Sequence, residues 1–149
     1  MPAVLRIAPF FVAAALGCEG PTGTTAFDLA KARSLWHRNG FDFYELITLQ
    51  ECFCGFTGTV RISVVDGVAG SAIDLVTGER VPVDVLRIGT VEDVFQTIEF
   101  YLEQGGTVDV SFDDRLGYPV TGRLDLPDHS DAGFHFEVLS LEPSLSEPL

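Results

Sequence analysis

The segment TVEDVFQTIEFYLEQGGTVDVSFDDRLGYPVTGRLDL, residues 90–126, carries the pattern from which the fold follows. Thr90 and Asp93 have the Thr-x-x-Asp spacing of a capping box, in which a hydroxyl and a carboxylate satisfy the free amides of a helix start. Val91, Val94, Phe95, Ile98, Tyr101 and Leu102 then recur at helical spacing until Gly105-Gly106 ends the helix. Strand-like sequence follows from Thr107 to Phe112 and from Pro119 to Leu126, separated by the turn residues Asp113 to Gly117. A third strand spans Phe134 to Leu141, beyond the turn residues Pro127 to Gly133.

Working upstream, the same order recurs. Thr25-Ala-Phe-Asp28 repeats the capping box, a helix is expected to about Arg38, and Asn39-Gly40 offers a left-handed C-terminal cap. On that helix Phe27, Ala30 and Trp36 are expected to form the core-facing stripe. Phe41 to Gln50 reads as a strand, and Gly58 to Val65 is joined to Val68 to Val76 across Asp66-Gly67, a strong two-residue hairpin signal. The punctuation returns at a spacing of 65: Thr25 with Thr90, Asp28 with Asp93, Gly40 with Gly105, Asp66 with Asp131. This order predicts an α+β fold, with two helix-plus-three-strand units forming a mostly antiparallel sheet and two helices on one face.

The other face would stay open. In Phe41 to Leu49 neither alternate set is purely polar, since Phe41, Phe43, Ile47 and Leu49 oppose Tyr44 and Leu46. Either the strand is central in the sheet, or its open face binds an apolar or peptide ligand, with Tyr44 a candidate contact.

Composition narrows the function classes. The chain has 149 residues, 46% hydrophobic, with 22 Asp and Glu against 9 Lys and Arg, a net charge of -13. That balance fits one globular domain and argues against a nucleic-acid partner, because a single Lys and scattered Arg make no basic footprint. Met1 to Gly17 holds Arg6 and then an apolar run from Ile7 to Leu16, the layout of a signal peptide. The run is too short to cross a bilayer core, which takes roughly 20 helical residues. Ala15-Leu16-Gly17-Cys18 resembles a bacterial lipobox, with Ala15 where Leu is usual, which makes Cys18 the lipidation site.

The expected organisation is therefore a lipoprotein signal peptide over 1–17, the lipidated Cys18 and a flexible tether over 18–24, one α+β domain over 25–143 and a tail over 144–149. Loss of Arg6 would leave 8 basic against 22 acidic residues, a net charge of -14, so lipid alone would hold the body to a membrane. Glu19 follows Cys18 instead of the Asp of inner-membrane retention in some bacteria, which points toward the outer membrane of a bacterial cell envelope.

With Cys18 assigned to lipid, Cys52 and Cys54 remain as an even pair. Residues i and i+2 of a strand share a face, so the sulfurs can meet while Phe53 turns away. An exported chain makes a structural disulfide the first expectation, with a redox-active pair or a metal site as alternatives. His37, His129 and His135 have no spacing that would complete a metal site with these cysteines. Asp125, Asp128 and Asp131 lack the order of a calcium loop and read as solvated turn residues. Ser63, Ser71 and Ser111 lie in strand-like runs without a nucleophile motif, so no enzyme, catalytic residue or cofactor is expected. Gly117-Tyr118-Pro119 reads as a turn whose Tyr118 packs at its edge or contacts a ligand.

Cys52-Phe-Cys54, Thr59-Val-Arg-Ile-Ser-Val-Val-Asp-Gly67, Thr90-Val-Glu-Asp-Val-Phe95 and Gly117-Tyr-Pro119 together resemble domain-of-unknown-function family 6174 over about residues 25–143. Gly55 stands where that family often has Pro, and Phe112-Asp113 where it has Tyr-Asp. The resemblance implies a secreted or lipid-anchored bacterial protein and supplies no activity. The element order also looks like that of small periplasmic inhibitor and peptidase-associated modules, an analogy of fold alone. The expectation is a non-enzymatic module for an unknown envelope protein or peptide, bound at the sheet's open face or edge. The alternative is a thiol-disulfide or metal-handling protein using the Cys-x-Cys pair.

Overall fold

The computed structural model describes residues 23–144; the expected signal peptide, the expected lipidation site Cys18, most of the expected tether and residues 145–149 lie outside the described residues. In chain order the elements are α1 (Ala26–Asn39), β1 (Tyr44–Cys52), β2 (Gly58–Val65), β3 (Val68–Asp74), α2 (Val91–Glu103), β4 (Thr107–Phe112), β5 (Pro119–Leu126) and β6 (His129–Pro143). A short 3-10 turn at Val83–Val85 lies between β3 and α2.

Both helices start as their sequences direct. Thr25 and Thr90 are N-caps whose hydroxyls accept the N–H of Asp28 and Asp93, while each Asp carboxylate accepts from its cap's backbone N–H. The ends differ. At α2, Gly105 is left-handed (φ 71°), its N–H donates to the Leu102 carbonyl and that of Gly106 to Tyr101, the paired bonds of a Schellman motif. At α1, Gly40 is extended (φ -75°, ψ -172°) instead of left-handed. A side chain there would lie 2.6 Å from the Trp36 ring, so it is room for Trp36 that calls for glycine. The buried stripe of α1 is Leu29, Ala32 and Trp36, whereas Phe27 is 77% exposed and Ala30 lies on the same outer side. Trp36 sets this rotation by entering a ring cluster with Phe41, Tyr44 and Tyr118, at centroid distances of 6.1, 5.8 and 6.3 Å.

The six strands form one antiparallel sheet in the order β3-β2-β1-β6-β5-β4. Asp66 (φ 53°) and Gly67 (φ 71°) make the expected β2–β3 turn with both central residues at positive φ. Strand β6 starts earlier than its sequence suggests, because Leu126 pairs with His129 across a two-residue turn, which places Asp131 in a strand and not in a loop matching Asp66. The two units meet at β1 and β6, and β1 and β4 hold corresponding places in each unit yet run in opposite directions. With both helices on one face, no rotation superimposes the units: the repeat is one of element order and not of symmetry.

Alternate residues of β1 (Tyr44, Leu46, Thr48 and Gln50) face the helices and are buried with Val60, Ile62 and Val64 of β2 and Phe134, Phe136 and Val138 of β6. Gly122 of β5 leaves the space that the Phe136 ring fills. On the helix layer, Arg33 of α1 is tied to Glu92 and to Glu99 of α2, and it sits over the Phe95 ring at 5.7 Å.

The mixed pattern of β1 follows from its central position, between β2 and β6. Ile47 and Leu49 are half-buried on the face away from the helices, among polar neighbours that include the Arg61–Glu45 pair (3.3 Å) and His135–Glu51 (2.6 Å). A bulge between Ile47 and Thr48 leaves Leu139 of β6 unpaired. Ahead of α1, Thr24 is bonded to the β4 edge, its N–H donating to Val108 (2.8 Å) and its hydroxyl accepting from the Val110 N–H (2.8 Å).

Candidate functional site

The strand β1 delivers Cys52 as its last residue, and the chain bends so that Cys54 returns to it, with Cα atoms 5.2 Å apart and the sulfurs joined in a disulfide. Cys54 thus lies beyond the strand, in a turn, and the pairing closes that turn instead of spanning a strand face. The Thr57 hydroxyl donates to the Cys52 carbonyl (2.8 Å), and the Phe56 carbonyl oxygen lies 3.7 Å and 3.4 Å from the two sulfurs. A side chain on Gly55 would come within 2.9 Å of the Val85 carbonyl, so the turn rests on the 3-10 segment. Phe53, at the tip, is 90% exposed.

Next to this turn is a cavity of about 260 Å³ lined by both cysteines, Phe53, Arg87, Phe100, Tyr101 and residues of β6. Its parts come from five separated stretches of chain: the cysteine turn, Arg87, the end of α2, Leu126 and β6. Gln50, buried two residues before Cys52, donates its side-chain N–H to the Ile88 carbonyl (2.8 Å) and accepts the Ile88 N–H (3.1 Å). That clamp holds the residue beside Arg87. Helix α2 supplies Tyr101, whose hydroxyl donates to the Ala132 carbonyl of β6 (2.6 Å), and Phe100, which is 46% exposed. The Arg87 guanidinium lies 6.0 Å from the Tyr101 ring centre and 5.8 Å from that of Phe134, with one N–H directed at the Tyr101 hydroxyl (3.5 Å).

The residues singled out by sequence fall in two places. Tyr44 and Tyr118 both pack on Trp36 at the start of β1, whereas Cys52 is eight positions along that strand, roughly 26 Å at the usual rise. Tyr44 cannot serve as a ligand contact. It is 3% exposed on the helix-covered face, and its hydroxyl oxygen accepts the Val91 N–H at the start of α2 (2.9 Å). Burial pushes its pKa up to about 12. Tyr118 is half-buried, its hydroxyl likewise raised by burial and then by Asp113. Asp113 itself accepts the N–H groups of Arg115 (3.0 Å) and Leu116 (2.7 Å) in the expected turn. Among the described residues no group of three or more His, Cys, Asp or Glu is placed to hold a metal ion.

Gln50, Arg87 and Phe100 did not stand out in the sequence. For Gln50 a signal existed, since an amide at the inward position of the alternation Tyr44, Leu46, Thr48 and Gln50 must find buried partners. Arg87 lies in an irregular stretch with no periodicity to place it.

No curated protein and no solved structure matches the chain. A family model described as a family of unknown function (DUF6174) matches residues 28–142, which takes in both helices from Asp28 onward and the six strands as far as Glu142. The chain belongs to that family of unknown function.

Proposed function

We propose that this protein is a lipid-anchored component of the bacterial cell envelope whose α+β domain is a non-enzymatic module for binding a protein or peptide. The lipobox-like Ala15 to Cys18 motif supports the anchor. The binding reading is carried by Phe53, an aromatic side chain 90% exposed on a disulfide-closed turn, with Phe100 beside the same cavity. An aromatic ring held in water by a covalent closure forgoes burial of its apolar surface, worth about 2–3 kcal/mol, unless a partner covers it. Engagement is therefore assigned to the Cys52 end of the sheet. The open face is less suited, because the Arg61–Glu45 ion pair and the polar His135–Glu51 pair flank Ile47 and Leu49.

A second reading is favoured by the exposure of Cys54. A thiolate of a partner dithiol protein could attack one sulfur, forming a mixed disulfide and then a partner disulfide as Cys52 and Cys54 take up two electrons and two protons.

A photo-crosslinking residue placed at position 53 and, as control, at the 83%-exposed Val76 tests the first reading in intact envelopes. A defined neighbour captured at 53 and absent at 76 is expected; the same abundant neighbours at both positions would refute it. Replacing both Cys52 and Cys54 by Ser spares that capture if binding is the role, and abolishes function if exchange is.

A further inference from the structure

We infer that the cavity at the Cys52 end recognises a single carboxylate joined to an apolar or aromatic group, as found at the C-terminal residue of a peptide. This rests on the binding reading above and names the chemistry of its ligand.

Charge gives the first argument. The chain carries a net -13, and among the described residues Arg87 forms no salt bridge and is the one cationic side chain lining this cavity. Its contacts are ring faces and one neutral hydroxyl at 3.5 Å. A guanidinium whose contacts are two ring faces and a neutral hydroxyl retains N–H donors for an incoming anion.

Geometry gives the second. Contact with the Tyr101 and Phe134 rings restricts the guanidinium, and the hydroxyl of Tyr101 is committed to Ala132. The main chain at the next residue is held by Gln50. An Arg restricted in this way loses little freedom on making the two parallel N–H···O bonds that a carboxylate accepts.

Size and lining give the third. About 260 Å³ is below the usual range for a drug-sized ligand and suits one side chain with its terminal carboxylate. Phe53 and Phe100 supply apolar surface at the rim.

The probe is the tripeptide acetyl-Gly-Gly-Phe with a free carboxylate, compared with its carboxamide, titrated into the oxidised protein and followed by amide NMR shifts. The carboxylate form should move the signals of Ile88, Gly133 and Phe134, and the carboxamide should bind about tenfold more weakly or less. R87Q should erase that difference. Equal binding of the two peptides, absence of shifts at the cavity, or an R87Q protein that keeps the preference would each overturn the inference. The peptide comparison needs no variant, so it decides even if R87Q fails to fold. If R87Q still captures the same neighbour as wild type through position 53, the carboxylate inference falls while the binding surface stands.

Discussion

The side-chain amide of Gln50 occupies both backbone hydrogen-bonding groups of Ile88, a residue 38 positions later, and neither residue has any exposed surface. It thereby ties the centre of the sheet to the irregular segment that carries Arg87. A strand side chain here does the work of a missing strand neighbour.

Replacing Gln50 with Leu would fill similar space but strand two buried backbone groups, each worth about 1–3 kcal/mol. Urea unfolding should register a loss of about 2–4 kcal/mol with little change in slope. A loss under about 0.5 kcal/mol would mean that water replaces the amide.

Tyr44 makes stability fall in alkali. Its folded-state pKa of about 12 lies above the ordinary tyrosine value of about 10, so the folded protein holds this proton more tightly than the unfolded chain does. The contribution is complete below about pH 10 and is lost as pH rises toward 12, removing about 2–3 kcal/mol. Unfolding measured across that range should show the slope, and Tyr44→Phe should flatten it. The variant also leaves the Val91 N–H without its acceptor, which costs about 1–2 kcal/mol at neutral pH.

Gly117 and Gly67 both have positive φ, 82° and 71°, but only Gly117 is packed against another element, the α1 backbone at Ala32 and Trp36. Gly117→Ala should therefore cost about 2–4 kcal/mol, adding a steric clash to the left-handed penalty, while Gly67→Ala should cost about 1–2 kcal/mol. Thermal denaturation of the two variants side by side would separate packing from conformation; equal shifts would contradict the difference.

The two caps should differ in the same way. Thr90 is buried and Asp93 accepts from both the Gly89 and Thr90 N–H groups, so Thr90→Ala should cost about 1–2 kcal/mol, against about 0.5–1 kcal/mol for the more exposed Thr25→Ala. At Thr25 the cap's hydroxyl and N–H both donate to Asp28 and hold its carboxyl below the usual carboxylate range. That contribution is present above the ordinary Asp pKa and is lost as pH falls through the lowered one, an acid-side loss that Asp28→Asn should remove.

Much of the fold could be read from local sequence because local chemistry specifies it. Thr25 and Thr90 meet their Asp partners within one turn, and Asp66-Gly67 can be recognised from two residues. Strands β2, β4 and β5 run between the residues that composition assigns them. The rotation of α1 was not legible, since Phe27 and Leu29 are both apolar and only contact with the sheet side of Trp36 selects between them. Nor was the early start of β6, because Asp128, Asp131 and Gly133 have turn chemistry that pairing with β5 overrides.

By itself the sequence determined where helices begin, which residues make the tight hairpin turn and that Cys52 and Cys54 are close enough to pair. It also supplied the lipobox-like segment on which the proposed anchor rests, and the acidic charge. Only the tertiary structure decided that β1 and β6 are neighbours, that Tyr44 is committed to α2, and that Arg87 stands over Tyr101 and Phe134 beside the cysteine turn. The physical reason is range. Tyr44–Val91, Gln50–Ile88 and Tyr101–Ala132 join residues 47, 38 and 31 positions apart, and no local periodicity encodes which distant groups a fold will bring together.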